Sequence, residues 1–292
     1  YVLNVKRWSF DLGVKADIPV TSGSAGYENS ATHQYVYPSV KISYDFRRVP
    51  LNLWLGIDGG ERMNSYTSIV DDFRHYGISV SSLASHATLG NTVERVKASF
   101  GLKGRIRSVF GYEAFVSYAE RSNSVLERVL LKDLEFDGVV MKLPVYDLAF
   151  APSGLLTAGL DARYSDDWGR VDLGLRYNGL FVRDEALPYI APAALTGDFS
   201  VQFNIIRRIF IGVGCEFSTV RNGRIAQDSG SMVSYKIPGF GEPYFSAEFQ
   251  YSRQLAFWLR GSRLTGQTIQ RTPLYAERGP ELTAGLRLSF GK

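Results

Sequence analysis

Cysteine, histidine and long apolar runs are scarce in this 292-residue sequence, which has one cysteine, three methionines and three histidines, His33, His75 and His86. A single cysteine rules out a disulfide framework. Cys215 falls at an apolar position of "IFIGVGCEFS" and is read as packing. No stretch approaches the ~18 consecutive apolar residues of a membrane helix, so the chain does not cross a membrane with helices. Charge of one sign is also lacking: the net +4 is spread along the chain and gives little support to nucleic-acid binding. No signal peptide is evident, as expected if an N-terminal part is removed.

Aromatics and glycine are plentiful, with 17 tyrosines, 18 phenylalanines and 29 glycines. "WSFDLGVKADIPV" (8–20) alternates: Trp8, Phe10, Leu12, Val14, Ala16 and Ile18 fall on one side of a period-two strand, and Ser9, Asp11, Gly13, Lys15 and Asp17 on the other. Eleven further stretches repeat the rule, at 35–46, 51–58, 95–106, 110–120, 156–164, 171–180, 199–205, 209–218, 244–252, 255–262 and 282–290. Their connections alternate without exception. Long ones (19–34, 59–94, 121–155, 181–198, 219–243, 263–281) are interleaved with "RRVP", "RSV", "SDDWGR", "IRR" and "RQ".

An even number of strands, with short turns on one rim and long loops on the other, predicts an all-β fold: a closed antiparallel transmembrane barrel of about 12 strands, with short periplasmic turns and long extracellular loops. The expected organisation is one barrel domain over 1–292, with 1–7 as a periplasmic extension and 8–290 as the barrel. Charge sorts by phase. The outward phase is read as free of Asp, Glu, Lys and Arg, since a basic residue at the bilayer midplane costs about 2–4 kcal/mol. The inward phase is expected to line a lumen with Lys15, Asp17, Lys41, Asp58, Arg95, Lys97, Lys103, Arg105, Glu113, Asp161, Arg163, Arg176, Glu216, Glu248, Trp258, Arg260 and Arg287, together with Asp11, Asp45 and Asp172. Aromatics fall into two girdles. Trp8, Phe10, Tyr44, Phe46, Phe110, Tyr112, Tyr164, Tyr251 and Phe290 lie toward the short turns, and Tyr37, Tyr118, Tyr177, Phe217 and Phe245 toward the long loops.

The ending "YAERGPELTAGLRLSFGK", alternating up to Phe290, resembles the terminal strand of bacterial outer-membrane barrels that their insertion machinery recognises. It is similar to endings in barrels of the Bacteroidota, including receptors that depend on energy from the inner membrane. The resemblance covers that one strand, and the remaining chain by architecture. It implies an outer-membrane location. Receptors of that kind have about twenty-two strands and a plug, more than 292 residues hold.

Catalysis has few candidates. An outer-membrane phospholipase would need an outward-phase histidine, and none exists; Asp71, Asp72 and His75 of "DDFRHYG" could pair in a helical loop but read as a solvated segment. The expectation is therefore a non-enzyme without cofactor or metal. Inward charges of both signs could fill the interior by pairing, whereas inward glycines at 13, 56, 101, 111, 159, 174, 212, 214 and 285 remove side-chain volume and favour an open path. A passive or gated channel for small, anionic or sugar-like solutes follows. The alternative is a non-transporting scaffold or accessory subunit of an outer-membrane assembly. Expected partners are outer-membrane lipid and lipopolysaccharide, and other outer-membrane proteins through loops 59–94 and 121–155, where 125–150 is unusually apolar and needs covering.

Overall fold

The computed structural model describes residues 1–17, 35–62, 64, 91–206, 208–277 and 279–290. Among them every regular element is a strand: β1 (Val2–Val5), β2 (Trp8–Asp17), β3 (Tyr35–Asp45), β4 (Asn52–Arg62), β5 (Thr92–Ile106), β6 (Phe110–Phe136), β7 (Val139–Asp166), β8 (Gly169–Val182), β9 (Leu195–Ile206), β10 (Ile209–Ser218), β11 (Arg221–Gln227), β12 (Met232–Ile237), β13 (Phe240–Gln250), β14 (Leu255–Ser262), β15 (Ile269–Thr272), β16 (Tyr275–Glu277) and β17 (Glu281–Leu288). The main sheet is an antiparallel meander in the order β1-β2-β3-β4-β5-β6-β7-β8-β9-β10-β13-β14-β17. Removing β1 leaves the twelve alternating stretches in the expected order, and β10 and β14 match their expected bounds to the residue.

The sheet does not close. β1 folds back on β2, pairing Val2 with Asp11 and Val5 with Trp8, and Leu12 donates its N–H to the Tyr1 carbonyl at 2.8 Å. The edge of β2 that closure would use is thus partly taken, and no ladder joins β2 to β17 among the described residues. Residues 2–5 form a strand and 6–7 a turn.

Alternation places large apolar side chains on one exposed face, including Leu12, Val14, Leu55, Phe100, Val213, Phe257 and Leu286. Rings pack along the short-turn end of that face: Trp8 on Tyr44 at 4.8 Å, Tyr44 on Phe46 at 4.9 Å, and Trp168 on both Tyr164 and Phe203 at 5.8 Å. Glu120 departs from the expected charge-free phase; it sits at the long-loop end, ion-paired to Arg183. Tyr37 is no girdle residue, being 4% exposed and packed beside Gly59.

The largest departure is segment 121–155, expected as a loop. β6 and β7 instead continue as one hairpin of 27 and 28 residues, well beyond the ~9–11 needed to cross a bilayer. Asp137 (φ 51°) and Gly138 (φ 75°) make its two-residue turn. Asp-Gly between apolar runs is a strong hairpin signal, because both positions need positive φ. Asn123, at φ 58°, accompanies a register shift between Arg121 and Ser124, where the hairpin leaves the wall.

Beyond the wall this hairpin supports a cap. β11 pairs with β12 and, in parallel, with β6, and Ile190 bridges Glu127 and Gly223. Val129, Leu148, Ile190, Ile225 and Ile237, each at most 2% exposed, form its core. A second cluster, Leu126, Ala149 and Ala151, packs against Leu180, Val182, Leu187 and Tyr189. The apolar 125–150 stretch is therefore covered by the chain's own packing near the wall. At the tip Leu134, Phe136, Val139, Met141 and Leu143 remain exposed on one face.

The two phases should differ in cost. Leu286→Arg is expected to destabilise the folded protein in lipid by roughly 2–4 kcal/mol. Arg287→Leu, which loses a half-exposed ion pair with Glu248, should cost about 1 kcal/mol or less. Urea titration in vesicles checks the contrast, and equal costs would contradict the phase assignment.

Candidate functional site

The face opposite the apolar one carries the charge. A cavity of about 790 Å³ is lined from Asp45 of β3 through Asn52, Lys103, Arg105, Glu113, Asp161, Arg163 and Asp172 to Asp198 of β9, so this face is concave. A second hollow of about 250 Å³ lies among Asp11, Lys41, Trp54, Asp58 and Lys97.

Ladder register sets the electrostatics. Glu113, Asp161, Gly174, Asp198, Glu216 and Glu242 are successive partners across β6, β7, β8, β9, β10 and β13, a transverse row holding five carboxylates. Like charges directly opposite one another are unfavourable, and arginines relieve part of the row. Arg176 donates to both oxygens of Asp161 at 2.6 and 2.8 Å and lies over the Phe115 ring at 5.5 Å. Arg271 of β15 reaches Glu242 at 2.9 Å and Glu216 at 3.4 Å. Glu113 and Asp198 make no ion pair with a described residue.

Most of the other expected lining residues share this face. Lys15 pairs with Asp58 at 2.7 Å, Arg163 with Asp172 at 2.6 Å, and Arg287 with Glu248. The Asp17 carboxylate accepts the Glu61 N–H at 2.9 Å. Lys41 stacks over Trp54 at 5.1 Å and Arg260 over Tyr244 at 4.8 Å. Lys97, Lys103 and Arg105 form no ion pair among the described residues. Arg95 does not join them. A bulge between Glu94 and Val96 takes it out of the alternation on which its assignment rested, and Glu94 instead pairs with Arg121.

Inward glycine does not mean open space. A Cβ would come 2.6 Å from Trp54 at Gly101, 2.6 Å from Trp258 at Gly285 and 2.5 Å from Phe115 at Gly159. These residues sit under rings from neighbouring strands, so Trp54, Trp258 and Phe115 fill the volume the glycines vacate. Gly111 alone of the nine meets nothing closer than 4.0 Å.

Sequence reasoning passed over Asp198, Glu94, Arg121 and Glu242. Asp198 immediately precedes the expected 199–205 stretch, and extending the alternation by one residue would have placed it. The other three lie beyond bulges or expected strand ends. His33, His75, His86 and "DDFRHYG" lie outside the described residues.

Six arginines at the long-loop end are held in ion pairs. Arg121, Arg128, Arg183, Arg221, Arg263 and Arg271 all have carboxylate partners. The hydrogen bond to Glu281 holds the Arg263 pKa above its ordinary value. In the cap, burial pushes the Tyr146 hydroxyl up, Tyr235 acts in the same direction, and the hydroxyl donates to the Pro273 carbonyl at 2.8 Å.

No family model and no curated protein matches the chain. Solved structures do. The copper transporter OprC aligns over 98% of this chain and 46% of its own at 16% identity, with a TM-score of 0.63. The siderophore receptor PirA from Acinetobacter baumannii aligns over 98% and 44% at 11% identity, TM-score 0.64. The FrpB iron transporter from Neisseria meningitidis aligns over 99% and 44% at 11% identity, TM-score 0.65. The chain spans less than half the length of each. The fold is that of outer-membrane barrels of Gram-negative bacteria.

Arg271 is expected to hold the β15–β16 hairpin to the wall. Arg271→Ala leaves Glu216 and Glu242 opposed across β10 and β13, a loss of roughly 1 kcal/mol for a partly exposed network. Chymotrypsin should then cut at Tyr275 faster; an unchanged rate would remove Arg271 from this role.

Proposed function

We propose that the chain forms wall of an outer-membrane transporter, with its apolar face in lipid and its charged concave face toward the solute. The observation that carries this reading is the pairing of those two faces with a cavity of about 790 Å³ lined by four charges without ion-pair partners among the described residues: Lys103, Arg105, Glu113 and Asp198. Likeness to copper and iron transporters and a siderophore receptor supports transport as the class of activity. Small, anionic or sugar-like solutes suit Lys41 over Trp54 and Arg260 over Tyr244, cations that form no ion pair among the described residues, and no catalysis is assigned.

The open edges shape the proposal. Peptide groups unpaired in hydrocarbon cost several kcal/mol each. The outer edge of β17 has no described partner, and β1 covers only the first part of β2. The sheet is accordingly read as an arc, closed in the membrane by further strand pairing, with lipid and lipopolysaccharide around it.

A scaffold is the second reading, favoured by the exposed apolar hairpin tip, where Phe136 is 70% and Val139 60% exposed. Such a face would suit another outer-membrane protein.

Single-channel recording in a planar bilayer tests the first reading. Openings are expected, and Lys103→Glu with Arg105→Glu should move ion preference toward cations, an effect that weakens at high salt. A silent protein whose co-purifying partner is lost on Phe136→Asp would decide for the scaffold.

A further inference from the structure

The short-turn rim is basic in a way the rest of the molecule is not. Lys6, Arg47, Arg48, Arg107, Arg208 and Arg253 occupy the turns β1–β2, β3–β4, β5–β6, β9–β10 and β13–β14. All six are exposed, and their side chains form no ion pair or hydrogen bond with a described residue. Only the β7–β8 turn, Asp167–Trp168, lacks a cation. Chain-wide balance does not produce this: acidic residues number 29 against 33 basic ones, and at the opposite end Arg121, Arg128, Arg183, Arg221, Arg263 and Arg271 are spent in ion pairs.

Lys6, Arg47 and Arg253 lie within two residues of rings of the belt. Trp8 follows Lys6, Phe46 precedes Arg47, and Tyr251 precedes Arg253, with Trp8 46% and Tyr251 61% exposed. An aromatic ring settles at the headgroup level of a bilayer. A guanidinium one or two residues farther from the hydrocarbon reaches the phosphates, which it binds through two parallel N–H donors. We propose that this rim is a docking ring for anionic phospholipid headgroups, holding the barrel wall at a fixed depth in the leaflet on its short-turn side. The inference rests on the reading that the apolar face lies in lipid.

Its test uses the sequence's four tryptophans. With Trp54→Phe and Trp258→Phe, the remaining Trp8 and Trp168 both report on this rim. The full chain is placed in detergent micelles doped with equal fractions of brominated phosphatidylglycerol or brominated phosphatidylcholine. The phosphatidylglycerol quenching constant should be about fivefold the larger at low salt, the factor expected of one basic residue near an anionic surface. It should fall toward that of phosphatidylcholine in about 0.5 M salt, and in the variant with Arg47, Arg48, Arg107, Arg208 and Arg253 changed to glutamine. Equal constants, or a preference indifferent to salt, overturn the ring while leaving the lipid-facing reading intact. Quenching by neither lipid overturns both. If the fivefold variant does not fold, salt dependence in the unaltered rim decides. Polyglutamate binding without lipid preference would give the ring to an acidic protein segment and overturn the proposal.

Discussion

A peptide group in hydrocarbon must be hydrogen-bonded within the protein, because no water is there to replace a missing partner. That constraint accounts for the meander, in which each strand of the path from β2 to β14 has a ladder on both sides. It also accounts for where irregularity is tolerated. The register shifts near Arg95 and Asn123 fall toward the long-loop end, where solvent and the cap can satisfy a displaced backbone.

Within the wall, side-chain chemistry follows from pairing geometry. A row of carboxylates across six strands would strain the sheet if every position were charged and unrelieved. Gly174 interrupts it, Arg176 reaches into it from the next row, and Arg271 arrives from outside the sheet. Trp54, Phe115 and Trp258 lie over glycines of adjacent strands, so the wall is thickened by rings and its charges rest on an aromatic floor.

Much of this was legible in the sequence, and the failures have physical causes. Alternation located β2 to β10, β13, β14 and β17, since a strand with different solvents on its two faces writes period two into its residues. It failed just above the wall, where both faces of the β6–β7 hairpin are buried by protein: Leu126 and Val129 lie on opposite faces and both are core, so the period vanishes there. Strand phase also cannot anticipate an inserted residue, which is how Arg95 was assigned to a lining where Glu94 stands. Alternation and the long-short order of turns predict closure, but pairing at an edge is decided by whichever segment reaches it, and β1 is covalently next to β2. Inward glycines predict open volume, but glycine specifies only its own missing side chain, and the rings that occupy the space come from neighbouring strands.

The two-residue turn at Asp137–Gly138 bears on the order in which the protein is built. Joining two strands costs chain entropy that grows with the length of the loop between them. The β6–β7 pair closes over a two-residue loop, as β7–β8 also does, and then extends over the longest ladder of the sheet, from Phe136–Val139 to Phe110–Tyr164, by adding neighbours one at a time. β11, by contrast, finds β6 only after some ninety residues have intervened, Ala226 meeting Leu130. The hairpin can therefore zip while the rest of the chain is still unpaired, giving β5 and β8 a ready edge on either side. Assembly of the wall would then spread outward from its middle, and the cap would settle last on a post already standing.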